Sequence, residues 1–77
     1  MMLVYSKKVC PNCTKVKALL DSKGVKYTEI DIETNAAGRD VVISHGLRSV
    51  PQVFLGEQLI GDYEKTKTWL ELKEQAL

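Results

Sequence analysis

Histidine, tryptophan and phenylalanine occur once each, and proline and cysteine only twice. Beyond the two thiols a metal would have only His45, which the helix reading below does not bring to them, so the four-ligand set of a structural zinc is not expected. Charge of one sign is also lacking: eleven Lys and Arg stand against ten Asp and Glu, a net +1. That is far from the basic excess of a nucleic-acid-binding chain, so no nucleic-acid partner is expected. Long apolar runs are missing as well. Met1 to Tyr5 is apolar but too short to cross a membrane, and it lacks the basic start and cleavage pattern of a secretory leader. Neither a membrane partner nor export is expected, which leaves the cytoplasm. Seventy-seven residues, 44% hydrophobic and 27% charged, fit one ordinary globular domain over residues 1–77 with a modest core.

What is present gathers in Tyr5-Ser6-Lys7-Lys8-Val9-Cys10-Pro11-Asn12-Cys13. Both cysteines lie there, two residues apart, where an apolar run gives way to a helical pattern. A disulfide closing so small a loop removes little chain entropy and adds little stability. In a small intracellular chain such a pair reads as redox-active or metal-binding, not as a scaffold, and the shortage of further ligands favours redox use.

Along the chain, Met2-Leu3-Val4-Tyr5 reads as a central strand buried on both faces. Pro11 suits a first helical turn, where a missing N–H is no loss. That helix is predicted to reach about Lys23, with Cys13, Val16 and Leu20 on an apolar stripe, Leu19 beside them, Lys15, Lys17 and Asp21 facing water, and Gly24 following as its terminator. Val25 to Ile32 reads as a second strand, parallel to the first. A second helix, capped by Thr34 or Asn35, is predicted through about Ser44 and ended by Gly46; Gly38 and Val41-Val42-Ile43 count against it by propensity. Gln52 to Leu55 and Gln58 to Ile60 flank Gly56-Glu57, a hairpin of Gly-X type. From Tyr63 to the end a third helix is predicted, with Trp69, Leu72 and Ala76 on its apolar face and Leu70 alongside. The order is β-α-β-α-β-β-α, an α/β chain with a four-stranded mixed sheet and helices on both faces.

The thiolate is the attacking form of cysteine, and a free thiol has a pKa of about 8.5. Cys10 is placed where the helix's unpaired N–H groups and positive dipole end favour the anion, with Lys7 and Lys8 adding positive charge. Cys13, one turn in and on the inward stripe, is expected to be less exposed. Cys10 therefore reads as the attacking sulfur and Cys13 as the resolving one.

At this point the chain resembles the thioredoxin fold in its smallest form and, more narrowly, the glutaredoxins. The likeness is carried by Tyr5-Ser6-Lys7 before Cys10-Pro11-Asn12-Cys13, by Lys17 and Leu19-Leu20, by Arg48-Ser49-Val50-Pro51-Gln52-Val53-Phe54, and by Ile60-Gly61-Asp62-Tyr63. The resemblance implies a dithiol–disulfide oxidoreductase acting on protein disulfides or glutathione mixed disulfides, with no tightly bound cofactor and glutathione as reducing co-substrate. It implies a cis Pro51 against the cysteines, Val50 pairing with a substrate backbone, and Lys7 meeting a glutathione carboxylate. Asn12, Gly61, Asp62, Tyr63 and Glu64 would complete the groove, and Arg39 would add charge. The pattern departs from the family's where Asp62 follows Gly61 in place of a second glycine, where Lys65 stands for a common acid, and where Asn12 replaces an aromatic. The chain is expected to act as a monomer. Two other readings share the fold: a small redoxin recharged by thioredoxin reductase that serves ribonucleotide reductase, and a module holding a 2Fe–2S cluster between two protomers. Pro11 and the second cysteine favour the dithiol enzyme over the cluster.

Overall fold

A computed structural model describes residues 1–75. Its elements are β1 (Met2–Ser6), α1 (Pro11–Ser22), β2 (Thr28–Asp31), α2 (Ala36–Ser44), β3 (Gln52–Leu55), β4 (Gln58–Gly61) and α3 (Tyr63–Gln75). The sheet order is β2-β1-β3-β4, with β1 parallel to β2 and antiparallel to β3, and β4 antiparallel to β3. The expected β-α-β-α-β-β-α order and mixed four-stranded sheet are both observed.

Alternation along the strands divides the interior into two cores. Met2 and Val4 of β1 and Val53 of β3 point to the side where Val16 and Leu20 of α1 and Leu70 of α3 pack. Tyr5 of β1 and Phe54 of β3 point the other way, onto Val42 of α2. Tyr5 and Phe54 meet edge to face with ring centroids 5.2 Å apart, a favoured arrangement for aromatic pairs. The apolar run of β1 is thus explained by burial on both faces.

Helices α1 and α2 end in the same way. After α1, Gly24 takes φ +69°, its N–H bonds Asp21 O at 3.1 Å and Val25 N–H bonds Leu20 O at 3.0 Å. After α2, Gly46 takes φ +72°, its N–H bonds Ile43 O at 2.9 Å and Leu47 N–H bonds Val42 O at 3.1 Å. Both are Schellman closures, in which a left-handed glycine turns the chain back to satisfy the last carbonyls. The first one shortens β2. Val25 to Tyr27, predicted to be strand, serve the closure and the run into the sheet, so pairing begins only at Thr28. At its other end α2 is capped by Asn35, whose side chain accepts the Gly38 N–H at 2.8 Å.

Gly38 is a spacing requirement. A Cβ there would lie 2.5 Å from Ile30 Cγ2, so α2 sits against β2 as closely as a bare backbone allows. In α3 the expected apolar face is revised. Leu70 and Thr66 are buried and Trp69 and Tyr63 pack at the core edge, whereas Leu72 is 61% exposed. The inward stripe follows Thr66 and Leu70 at four-residue spacing, which turns Leu72 outward. Ala76 lies outside the described residues.

A polar clamp ties α1 to the first two strands. Ser6 Oγ, buried at the end of β1, donates to Glu29 Oε2 at 2.7 Å, and Lys17 Nζ donates to the same oxygen at 2.8 Å. The Lys17 hydrogen bond, with that of Ser6 second, holds the Glu29 carboxyl below its ordinary range against a smaller opposing effect of burial. The same bond raises Lys17.

Two outcomes follow from these contacts. Gly38→Ala should destabilise the fold by about 1–3 kcal/mol through overpacking, although alanine is the better helix former by up to about 1 kcal/mol; a urea midpoint equal to or above the parent's would contradict this. Because Glu29 is depressed in the folded state, its contribution is present above the unfolded value of about 4.3 and is lost as pH falls through the folded value. Glu29→Gln should therefore cost less than about 1 kcal/mol at pH 7, the pair being partly exposed, and this difference should shrink in acid. Urea titrations at pH 7 and pH 3 showing a constant difference would refute the linkage.

Candidate active site

The loop from β1 delivers Cys10 to the start of α1 as its N-cap, with an extended backbone (φ −155°, ψ 97°) and Pro11 in the first turn. Cys10 Sγ accepts the N–H of Cys13 at 3.1 Å. An N-cap side chain reaches back over the first turn to the N–H of the third helical residue. That third residue is Cys13, so the capping geometry is also the geometry that brings the sulfurs together. The two cysteines form a disulfide, with Cα atoms 5.2 Å apart. Cys10 is 8% exposed and Cys13 is 1% exposed, the latter on the buried stripe with Val16 and Leu20. On reduction, a thiolate at Cys10 would receive the same N–H as a charge-assisted bond at the positive end of the helix.

The second component arrives with β3. The Val50–Pro51 peptide is cis, Pro51 is fully buried, and Cys10 Sγ lies 3.6 Å from Val50 O. In the disulfide the sulfur carries no proton, so this is a contact; a thiol at that place would have an acceptor. The turn ahead of it is braced by Gln52, whose buried side chain donates to Ser49 O at 3.1 Å.

Beside this contact opens a cleft of about 380 Å³ between α2, the Arg48–Val50 segment and the loop after β1. Lys7, Arg39 and Arg48 line it along with Val50, Val42 and Ile43, and among the described residues no acidic one lines it. Lys7, Val50 and Arg39 thereby line one cleft. Arg48 is a third cation that sequence reasoning did not single out, although it directly precedes Ser49-Val50.

Asn12 and residues 61–64 do not line this cleft. Asn12 is exposed in the first turn of α1. Gly61 pairs with Val53, two residues beyond Pro51, so the start of α3 stands at the same end of the sheet as the disulfide but on the other flank. Gly61 has φ +130°, and the position of a Cβ there would be 2.6 Å from Lys65 Cδ and 2.8 Å from Lys65 Cβ. Its lack of a side chain therefore makes room for the Lys65 stem. Asp62 Oδ1 accepts the Lys65 N–H at 3.1 Å, which makes Asp62 the cap of α3. This role was legible as an acidic residue just ahead of a helical pattern. Tyr63 packs at the core edge, and Glu64 is exposed in the first turn of α3.

The Glutaredoxin family model matches residues 2–60. Glutaredoxin 3 of Escherichia coli strain K12 is 48% identical over 59 residues, which cover 75% of this chain and 71% of that protein. A glutaredoxin of Ricinus communis is 39% identical over 69 residues, covering 84% of this chain and 68% of the relative. Among solved structures, the buckwheat glutaredoxin–glutathione complex superposes with a TM-score of 0.75 at 31% identity, over 87% of this chain and 64% of the buckwheat chain, just under two thirds of its length. The family model over residues 2–60 and these relatives, together with a cysteine pair closed across a helix cap at the end of this sheet, place the chain in the glutaredoxin family of thiol–disulfide oxidoreductases.

Proposed function

We propose that residues 1–77 act as one dithiol redoxin that reduces protein disulfides or glutathione mixed disulfides through Cys10 and Cys13. The observation carrying this reading is the position of Cys10 Sγ, held on the Cys13 N–H at the helix start and 3.6 Å from Val50 O. The Cys10 thiolate attacks a substrate disulfide, forming a Cys10–substrate S–S bond and expelling one substrate thiolate, which takes up a proton. Cys13 then loses its proton and attacks Cys10 Sγ, releasing the second substrate thiol. Two electrons pass to the substrate, and the Cys10–Cys13 disulfide remains.

Reduced glutathione is the proposed source of electrons for the next cycle. The buckwheat relative was solved as a complex with glutathione, and the cleft here offers Lys7, Arg39 and Arg48 to a carboxylate. Val50 and Pro51 would align the ligand backbone, while Asn12, Gly61, Asp62, Tyr63 and Glu64 would border its opposite flank. Protein disulfides such as that of ribonucleotide reductase are the proposed targets, met by a monomer in the cytoplasm. Among the described residues no helix is long and apolar enough to cross a membrane.

Cys13→Ser should accumulate the mixed disulfide with a protein substrate, visible as an adduct by intact mass, while Cys10→Ser should lose at least about a hundredfold in disulfide reduction. Equal activity of the two variants would overturn the assignment of roles. The reductant is tested by supplying the oxidised protein with NADPH and either glutathione plus glutathione reductase or thioredoxin reductase. Thiols should return in the first mixture, and recharging only in the second would replace glutathione by the reductase.

A further inference from the structure

The two flanks of the Cys10–Val50 contact differ in charge: one has cations as the only charges in its described lining, and the other sets Asp62 and Glu64 ahead of Lys65 and Lys67. On one side the cleft presents Lys7, Arg39 and Arg48, with no acid among the described residues that line it. On the other, Asp62 caps α3, and Glu64 is exposed in its first turn. Gly61 lies opposite Val53, which places Asp62 roughly one strand spacing, about 5 Å, to the side of β3 and near the level of Pro51.

A helix start with unpaired N–H groups attracts an anion. In this chain that position is held from within, because Asp62 Oδ1 accepts the Lys65 N–H and Asp62 O accepts the Thr66 N–H at 2.9 Å. Lys65 does not neutralise the carboxylate by pairing with it: its stem lies along Gly61, and among the described residues Asp62 makes no ion pair. An incoming anion on this flank therefore meets a fixed negative charge, whereas on the Arg48 flank it meets three cations.

Building on the oxidoreductase reading above, we infer that Asp62 is a specificity-determining residue, disfavouring disulfides with an anionic group on the α3 side and leaving anion recognition to Lys7, Arg39 and Arg48. The substrates best served carry their negative charge on one flank of the reacting sulfur only, with a neutral or cationic group on the other.

Single-turnover oxidation of the reduced protein tests this without any added reductant. Wild type, Asp62→Asn and Asp62→Ser are each mixed with excess 3,3′-dithiodipropionate (anionic), bis(2-hydroxyethyl) disulfide (neutral) or cystamine (cationic), and formation of the Cys10–Cys13 disulfide is followed by alkylation and intact mass. Asn and Ser are both good N-caps, so both substitutions remove the charge while keeping a cap. In both variants the anion-to-neutral rate ratio should rise about threefold and the cation-to-neutral ratio should fall by a similar factor, with both changes shrinking at high salt. Unchanged ratios, a uniform change for all three disulfides, or disagreement between the Asn and Ser variants would overturn the inference. Wild-type thiols inert to all three disulfides would overturn the oxidoreductase reading itself, and this inference with it.

Discussion

The Cys13 N–H donated to Cys10 Sγ is the contact on which the geometry of the cysteine pair depends. A helix leaves its first N–H groups unpaired, and an N-cap side chain answers one of them three residues on. When the cap and the third helical residue are both cysteine, satisfying the backbone and pairing the sulfurs become one arrangement. Pro11 supports it, since a residue with no N–H and a helical φ belongs in that first turn. The cap also sets an asymmetry: Cys10 stands at the helix mouth, while Cys13 continues the stripe that Val16 and Leu20 bury.

The sheet decides what the cap faces. β1 is central and buried on both sides, so its carboxyl end holds Cys10 over the interior of the molecule instead of at a free edge. β3 runs antiparallel beside it, which brings the amino end of β3, and with it Val50–Pro51, to the same place. Charged side chains stand on both flanks of that junction. Lys7, Arg39 and Arg48 line the cleft under α2, and the Asp62 carboxylate is held at the start of α3. On the far side of β1 the Ser6–Glu29–Lys17 clamp fixes α1 to the strands that carry its leading loop.

Some elements were legible and others were not, for identifiable reasons. Both helix-ending glycines, the hairpin at Gly56-Glu57 and the stripe of α1 are local patterns, and they stand as read. Val25 to Tyr27 misled because β-branched and aromatic residues also serve a Schellman closure at a core edge. Gly38 looked like a weakness in α2 because propensity ignores neighbours; its reason is Ile30, eight residues away in another element. Leu72 was placed inward by its helical spacing from Trp69, but the faces of α3 are set by what α1 and β4 present to it, and these select Thr66 and Leu70.

By itself the sequence determined the element order, the parallel β1–β2 unit with its hairpin, and the identity and asymmetry of the cysteine pair. All of these rest on spacings within one element or one turn. Only the tertiary structure decided that Arg48 joins Lys7 and Arg39 in one cleft and that Gly38 lets α2 approach Ile30 of β2. Those facts depend on which strand ends share an edge of the sheet and how closely backbones approach across it. Such distances are set by packing between segments far apart in the chain, which no local periodicity records.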